Sequence, residues 1–323
     1  MLDVNEPDRA ALRTRRVAVL GYGSQGRAQA LNLRDSGIDV VIGLRPGSAG
    51  ASRAAEDGLR VRTVAEAVAG ADLVAVLVPD TAQPALYEKE IRPALGPGAL
   101  LLFAHGFNVH YRRITAPEGV DVAMVAPKAP GHAVRSTYTE GHGVPCLVAV
   151  EQDATGDAWS LARAYGDAIG GGKAGLLPTT FAEETETDLF GEQAVLVGGV
   201  TGLVKTAYET LVDAGYQPES AYFECVQELK LVVDLIHDHG IAGMRTFISD
   251  TAEYGDYWTA DRPVWAAVRK HMNELLADIR SGAFAAQWVS EDERGRPAFD
   301  AARAEAAAHP AEAVGSRLRR LAG

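Results

Sequence analysis

At 323 residues the chain is longer than one hydrophobic core usually organises, so two domains of ordinary size are expected. It is 47% apolar and 23% charged, which excludes a disordered protein, and its net charge of −12 argues against nucleic acid or an anionic membrane surface as the main partner. The opening MLDVNEPDRAALRTRR has no apolar signal core, no apolar run reaches the length of a membrane span, and Cys146 and Cys225 show neither disulfide nor zinc spacing; a cytoplasmic protein is expected.

From Arg16 to about Leu177 short apolar runs alternate with amphipathic stretches, the grammar of βαβ units. Strands are expected at 17–20 (VAVL), 39–43 (DVVIG), 72–78 (DLVAVLV), 99–104 (ALLLFA), 122–126 (VAMVA) and 145–150 (PCLVAV). Several are apolar throughout, which suits a parallel sheet covered on both faces. After Pro178 long stretches have helical spacing, and Thr180 with Glu183 forms a capping box that opens the first helix. The boundary is placed there: a Rossmann-type α/β domain over 1–180 and an all-α domain over 181–323. The Ala- and Arg-rich tail from about Ala301 is expected to end in a solvent-exposed helix.

The segment RRVAVLGYGSQGRAQALNLRDSG reads as strand, tight turn, helix and glycine cap. Gly21, Gly23 and Gly26 occupy the GxGxxG positions, where they give the turn, the close approach of a pyrophosphate and the helix–strand contact. After the second strand no acid stands ready for the ribose hydroxyls of NAD. Arg45 and Ser48 in LRPGSAG can instead contact a 2′-phosphate, so NADPH is the expected cofactor.

The second half holds two carboxylate pairs, Asp188 with Glu192 and Glu224 with Glu228, each at i, i+4 and so on one helix face. Isolated acids at such spacing are usually solvated surface groups. The helix around Glu224 and Glu228 is apolar nearly all round, with Tyr222, Phe223, Val226, Leu229, Leu231 and Val233, and is therefore expected to be buried. Buried like charges are costly, and a divalent cation removes the cost. Oxygen-only ligands favour magnesium or manganese, and four acids are enough for two adjacent ions.

Taken together, the motifs resemble the ketol-acid reductoisomerases of branched-chain amino acid biosynthesis, in their shorter bacterial form. The likeness runs along almost the whole chain: GYGSQG at 21–26, FAHGFNVHY at 103–111, VAPKAPGHAVR at 125–135, ETETDLFGEQ at 184–193, YFECVQELKLVVDL at 222–235 and ISDTAEYGD at 248–256. The resemblance implies that Tyr22, Gly23, Ser24, Gln25, Arg45, Ser48, Asp80, Thr81, Ala82, Gln83 and Gly131 line the cofactor. It implies two magnesium ions, with Asp188 bridging them, Glu192 completing one site and Glu224 and Glu228 serving the other. His105, Lys128 and Glu228 take catalytic roles, and Ser249 holds the substrate carboxylate. It further implies a knotted helical domain, and a homodimer or higher multiple in which Glu224 and Glu228 reach the other subunit's site. Read alone, His105 at a strand's carboxyl end suits proton transfer and Lys128 suits stabilisation of an alkoxide.

The implied reaction is alkyl migration in 2-acetolactate or 2-aceto-2-hydroxybutyrate, followed by reduction by NADPH to 2,3-dihydroxyisovalerate or 2,3-dihydroxy-3-methylvalerate. Departures from the family pattern are Ala129 for a glycine, Arg27 for a histidine, Gly50 where a second phosphate-binding serine is frequent, Gln227 for a histidine, and the divergent WTADRPVW at 258–265. They leave open a paralogue reducing another 2-keto acid or an imine. A silent dinucleotide sensor is disfavoured, because His105, Lys128, the four acids and Ser249 are all present.

Overall fold

The computed structural model describes residues 10–322 and divides after Thr187 into two compact units. The first is built on eight strands: β1 Arg16–Leu20, β2 Asp39–Gly43, β3 Arg60–Arg62, β4 Leu73–Val76, β5 Leu100–Phe103, β6 Asp121–Pro127, β7 Cys146–Gln152 and β8 Leu176–Pro178. They lie in the order β3-β2-β1-β4-β5-β6-β7-β8. Alternation along each strand feeds two cores: Val17 and Val19 pack with Leu73, Leu100 and Tyr165 on one face, while Ala18 and Leu20 pack with Val74, Leu101 and Phe103 on the other. Burial on both faces is why these strands read as unbroken apolar runs.

The six strands expected from sequence are present, but the sheet is mixed. Pro127 of β6 faces Cys146 of β7, so the pair is antiparallel, and β8 follows β7 in parallel. An apolar run carries no sign of direction, so the strand composition that suits a parallel sheet does not reveal the reversal of β7. Two strands had no signal. β3 reads RVR, with both arginines exposed at the sheet edge, and β8 is only three residues long.

The crevice in which open α/β sheets bind ligands is set by β1 and β4, which are adjacent although the chain leaves them towards opposite sides of the sheet. The parallel strands β1, β2, β4, β5 and β6 therefore deliver Gly21, Leu44, Leu77, Ala104 and Lys128 to one carboxyl edge.

Every described element of the second unit is helical. Thr180 accepts from the Glu183 amide at 3.0 Å, as a capping box requires, but the Glu183 carboxylate takes the Thr179 hydroxyl at 2.8 Å rather than closing the box. From Phe181 to Asp213 the chain is helical for 33 residues and, against the sequence expectation, apolar and long enough by composition to cross a membrane. Asp188 and Glu192 lie in it, and carboxylates at membrane depth are expensive. A small core joins Tyr208, Ala221 and Tyr222 to Val314 of the last helix. The tail is thus a packed amphipathic element and not a purely solvent-exposed one.

The largest departure from expectation is exposure. The helix carrying Glu224 and Glu228 is not buried in the single chain: Phe223 is 40%, Leu231 61% and Val233 49% exposed. Apolar residues all round a helix imply burial, but not burial by the same chain.

Candidate functional site

The glycine turn is held by contacts that admit no side chain. Gly21 has φ +102°, and a Cβ there would lie 2.8 Å from the Leu77 carbonyl oxygen; one on Gly26 would lie 2.4 Å from that of Gly21. At Gly23 a Cβ would meet nothing within 4 Å, so this position faces open space, as a pyrophosphate-approach glycine must. Ser24 then opens the helix Ser24–Asp35. The loop after β6 docks on this turn: Gln25 Nε2 donates to the Ala129 carbonyl at 2.9 Å, and a Cβ on Gly131 would stand 2.2 Å from Ser24 O. The residues present therefore fit a dinucleotide.

After β2, Ser48 N-caps the helix Ala49–Glu56 and accepts from the Ala51 amide at 3.3 Å. The hydroxyl keeps its own proton to donate. Arg45 precedes it in the same loop and Gly50 is the second residue of the helix, where a Cβ would stand 3.4 Å from Tyr22 Cβ. After β4, Asp80–Ala82 forms a single tight turn. Gln83 is buried and engaged within the loop: its amide donates to Val78 O and Asp80 Oδ1, and its oxygen accepts from Asn108.

At the ends of β5 and β6, His105 and Lys128 meet on Glu184, a residue to which the sequence reading gave no role. His105 Nδ1 lies 3.0 Å from Glu184 Oε2, which also accepts the Gly106 amide at 3.0 Å, and Lys128 Nζ donates to Oε1 at 3.2 Å. The Glu184 side chain is only 1% exposed. Burial pushes its carboxyl up, but the His105 hydrogen bond and charge, the Lys128 charge and the Gly106 amide outweigh it and hold the group below the usual carboxylate range. Glu184 lies one helical turn before Asp188 on the helix Phe181–Gly191, so an i, i+4 search extended one step back would have found it. Thr185, next to it, is fully buried with its hydroxyl unpaired.

In the second unit one acid of each pair lies in a π-helical turn, Glu192 in Glu192–Leu196 and Glu224 in Phe223–Gln227, and Glu228 follows directly after the latter. The Val197 amide reaches back to Glu192 O at 3.0 Å, and that of Glu228 to Phe223 O. Such turns are frequent at functional sites because one inserted residue re-aims side chains without breaking the helix. The first turn has a sequence signal: a Cβ on Gly198 or Gly199 would collide at 2.3 and 2.1 Å with the carbonyls of Gln193 and Ala194. Glu192, Glu224 and Glu228 are exposed, and Ser249 N-caps the helix Asp250–Ala260 by accepting from Ala252 N at 3.2 Å. Among the described residues of this unit the four acids do not gather into a cluster of three or more ligand atoms. Their donor chemistry, carboxylate oxygen only, nonetheless fits a hard divalent ion.

Family models match both halves: acetohydroxy acid isomeroreductase, NADPH-binding domain, over residues 11–175, and ketol-acid reductoisomerase, C-terminal domain, over 181–323. The chain is similar to the solved structure of an NADH-preferring ketol-acid reductoisomerase from an uncultured archaeon, with 47% identity and a TM-score of 0.94 over 99% of this chain and 98% of that one. A putative oxidoreductase from Jannaschia sp. CCS1 (14% identity, TM-score 0.61, 82% of this chain and 97% of that one) shares the fold alone. So does a semialdehyde dehydrogenase NAD-binding protein from Cupriavidus necator (19%, 0.61, 82% and 99%).

Proposed function

The chain belongs to the ketol-acid reductoisomerase family, and from that premise we propose that it converts 2-acetolactate to 2,3-dihydroxyisovalerate with NADPH as donor, magnesium as metal and the site shared between two copies. The observation that carries the chemistry is the ionised Glu184 set between His105 and Lys128 at the carboxyl edge, beside the glycine turn. The substrate hydroxyl loses its proton, the alkyl group on C2 moves with its bonding pair to the neighbouring carbonyl carbon, and the former carbonyl oxygen gains a proton. The new C2 ketone then takes a hydride and a proton. When bound, two magnesium ions held by Asp188, Glu192, Glu224 and Glu228 supply Lewis acidity, and NADPH supplies the hydride.

The protein's own groups orient and move protons. Glu184 fixes the His105 ring through Nδ1 and so orients its other nitrogen, which suits the ring to proton transfer. The same carboxylate holds the Lys128 ammonium at the strand end, where it stabilises developing negative charge on oxygen. Arg45 and Ser48 favour the 2′-phosphate of NADPH by charge and hydrogen bond. The archaeal relative prefers NADH, which makes this loop the place where the two proteins are to be compared. Ser249 supplies a hydroxyl for the substrate carboxylate.

The dimer is supported by exposed apolar surface in the second unit: Leu196 is 70%, Leu203 66%, Ile241 65%, Tyr254 66% and Trp258 60% exposed. Soluble chains rarely leave so much large apolar surface in water unless a partner covers it. Incubation of the purified protein with racemic 2-acetolactate, NADPH and magnesium, with product identification, tests the reading. The expected product is 2,3-dihydroxyisovalerate; cofactor oxidation without it, or no turnover, overturns it.

A further inference from the structure

The helix that follows the proposed 2′-phosphate loop is fastened at its far end to the glycine-turn helix. Asp57 caps Ala49–Glu56, and its position is fixed by the helix ending itself: Asp57 N bonds to Arg53 O, Gly58 N to Ala55 O and Leu59 N to Ala54 O, with Gly58 at φ +77°. Three side chains from the glycine segment converge on it. Arg27, directly after Gly26, donates from Nε to Oδ2 at 2.7 Å and from Nη2 to Oδ1 at 2.9 Å. The Tyr22 hydroxyl donates to Oδ2 at 2.8 Å, and Arg34, two turns beyond Arg27, donates to the Asp57 carbonyl at 2.5 Å. Tyr22 is 3% exposed, and a Cβ on Gly50 would stand 3.4 Å from its own Cβ, so one side chain lies near both ends of the helix. The bidentate pair with Arg27, with the Tyr22 hydrogen bond, holds the Asp57 carboxyl down at about 2, so the carboxylate is charged throughout the working range.

We infer that Asp57, gripped by Arg27, Arg34 and Tyr22, is a specificity-determining positioning residue: it locks the helix Ala49–Glu56 so that the loop at its start presents Arg45 and Ser48 to a 2′-phosphate. The inference rests on the proposed dinucleotide site. The pyrophosphate is met by the glycine turn, whose backbone is held by its own bonds, Gly21 N to Gly43 O and Arg27 N to Gly23 O, whereas the 2′-phosphate is met by the loop that Asp57 holds. Loosening the clamp therefore weakens 2′-phosphorylated ligands more than unphosphorylated ones.

Charge and position predict opposite results. Asp57→Asn removes a negative charge from the neighbourhood of a phosphate; if charge alone mattered, 2′-phospho-ADP-ribose would bind more tightly. The clamp predicts weaker binding, by about tenfold, with ADP-ribose changed by less than about threefold. Titration calorimetry of both fragments on the intact protein reads this without any turnover. Arg27→Gln should act in the same direction despite the opposite change of charge, and Tyr22→Phe, which removes only a hydroxyl, should give the same sign at smaller size. A preference ratio that is unchanged or raised in well-folded Asp57→Asn or Tyr22→Phe overturns the inference. Wild-type protein that binds neither fragment overturns the dinucleotide reading beneath it.

Discussion

The two units differ in how completely one chain satisfies them. In the first, the central strands are buried on both faces and the polar groups at the carboxyl edge find partners within the unit, Glu184 being held by His105, Gly106 and Lys128. In the second, one acid of each pair, Glu192 and Glu224, sits on a π-helical turn among apolar side chains that are largely in water. The contrast teaches that an all-round apolar helix reports how much surface must be covered, while the identity of the cover is decided elsewhere. The cost of leaving it open scales with area, at roughly 25 cal/mol per Å² of apolar surface.

Changes to the first unit's buried charge should have the largest effect. Glu184→Gln keeps the shape but leaves Lys128 and His105 without their carboxylate, and kcat for acetolactate should fall by at least ~1,000-fold with the fold retained by circular dichroism. A loss of less than about tenfold would reduce Glu184 to a structural ion-pair partner.

Glu228→Gln probes the second unit. It should suppress acetolactate turnover by at least ~100-fold and raise the magnesium requirement. Reduction of ready-made 3-hydroxy-3-methyl-2-ketobutyrate needs mainly orientation and one polarised carbonyl, so it should suffer less. Equal loss in both assays would contradict a special demand of the alkyl shift on the carboxylates.

Gly131→Ala tests the docking of the β6 loop on the glycine turn. The added Cβ would have to displace Ser24 O, 2.2 Å away, so a stability loss of about 1–3 kcal/mol is expected, together with a raised KM for NADPH. An unchanged melting temperature and KM would mean the two loops move apart freely.

The smallest effect concerns pH. The folded pKa of Asp57 is depressed from 3.8 to about 2, so its contribution to stability is present above the unfolded value and is lost as pH falls from about 4 to about 2. Denaturant titrations of wild type and Asp57→Asn should converge over that window. A stability difference undiminished when the pH has fallen through about 2 would show that the carboxylate's charge is not what holds the clamp.

Much of the first unit was legible because its chemistry is local. Gly21, Gly23 and Gly26 follow a strand and open a helix, so the turn, the crevice and the carboxyl-edge position of His105 and Lys128 all follow from one-dimensional spacing. What escaped notice depended on pairing in space. Glu184 looks like one of several acids in ETETD until β5 and β6 bring a histidine and a lysine onto it; β3 and β8 are short edge strands; β7 reverses direction without changing composition. Asp57 was silent because its partners, Tyr22, Arg27 and Arg34, lie 35, 30 and 23 residues away. In the second unit the acid pairs were visible by spacing, but their environment was misjudged, since periodicity fixes which side chains share a face and not which chain covers it.

Subunit mixing tests the central claim, that the exposed second unit is completed by another copy. Lys128→Ala and Glu224→Gln proteins, each inactive alone, are combined under conditions where exchange is verified by mass-tagged subunits, and acetolactate turnover is measured. If Glu224 serves the partner's site, heterodimers contain one intact site and activity returns to about a quarter of the wild-type value at equal mixing, counting half of the dimers as mixed with one working site of two. No recovery despite demonstrated exchange would contradict the account and place Lys128 and Glu224 in the site of a single chain.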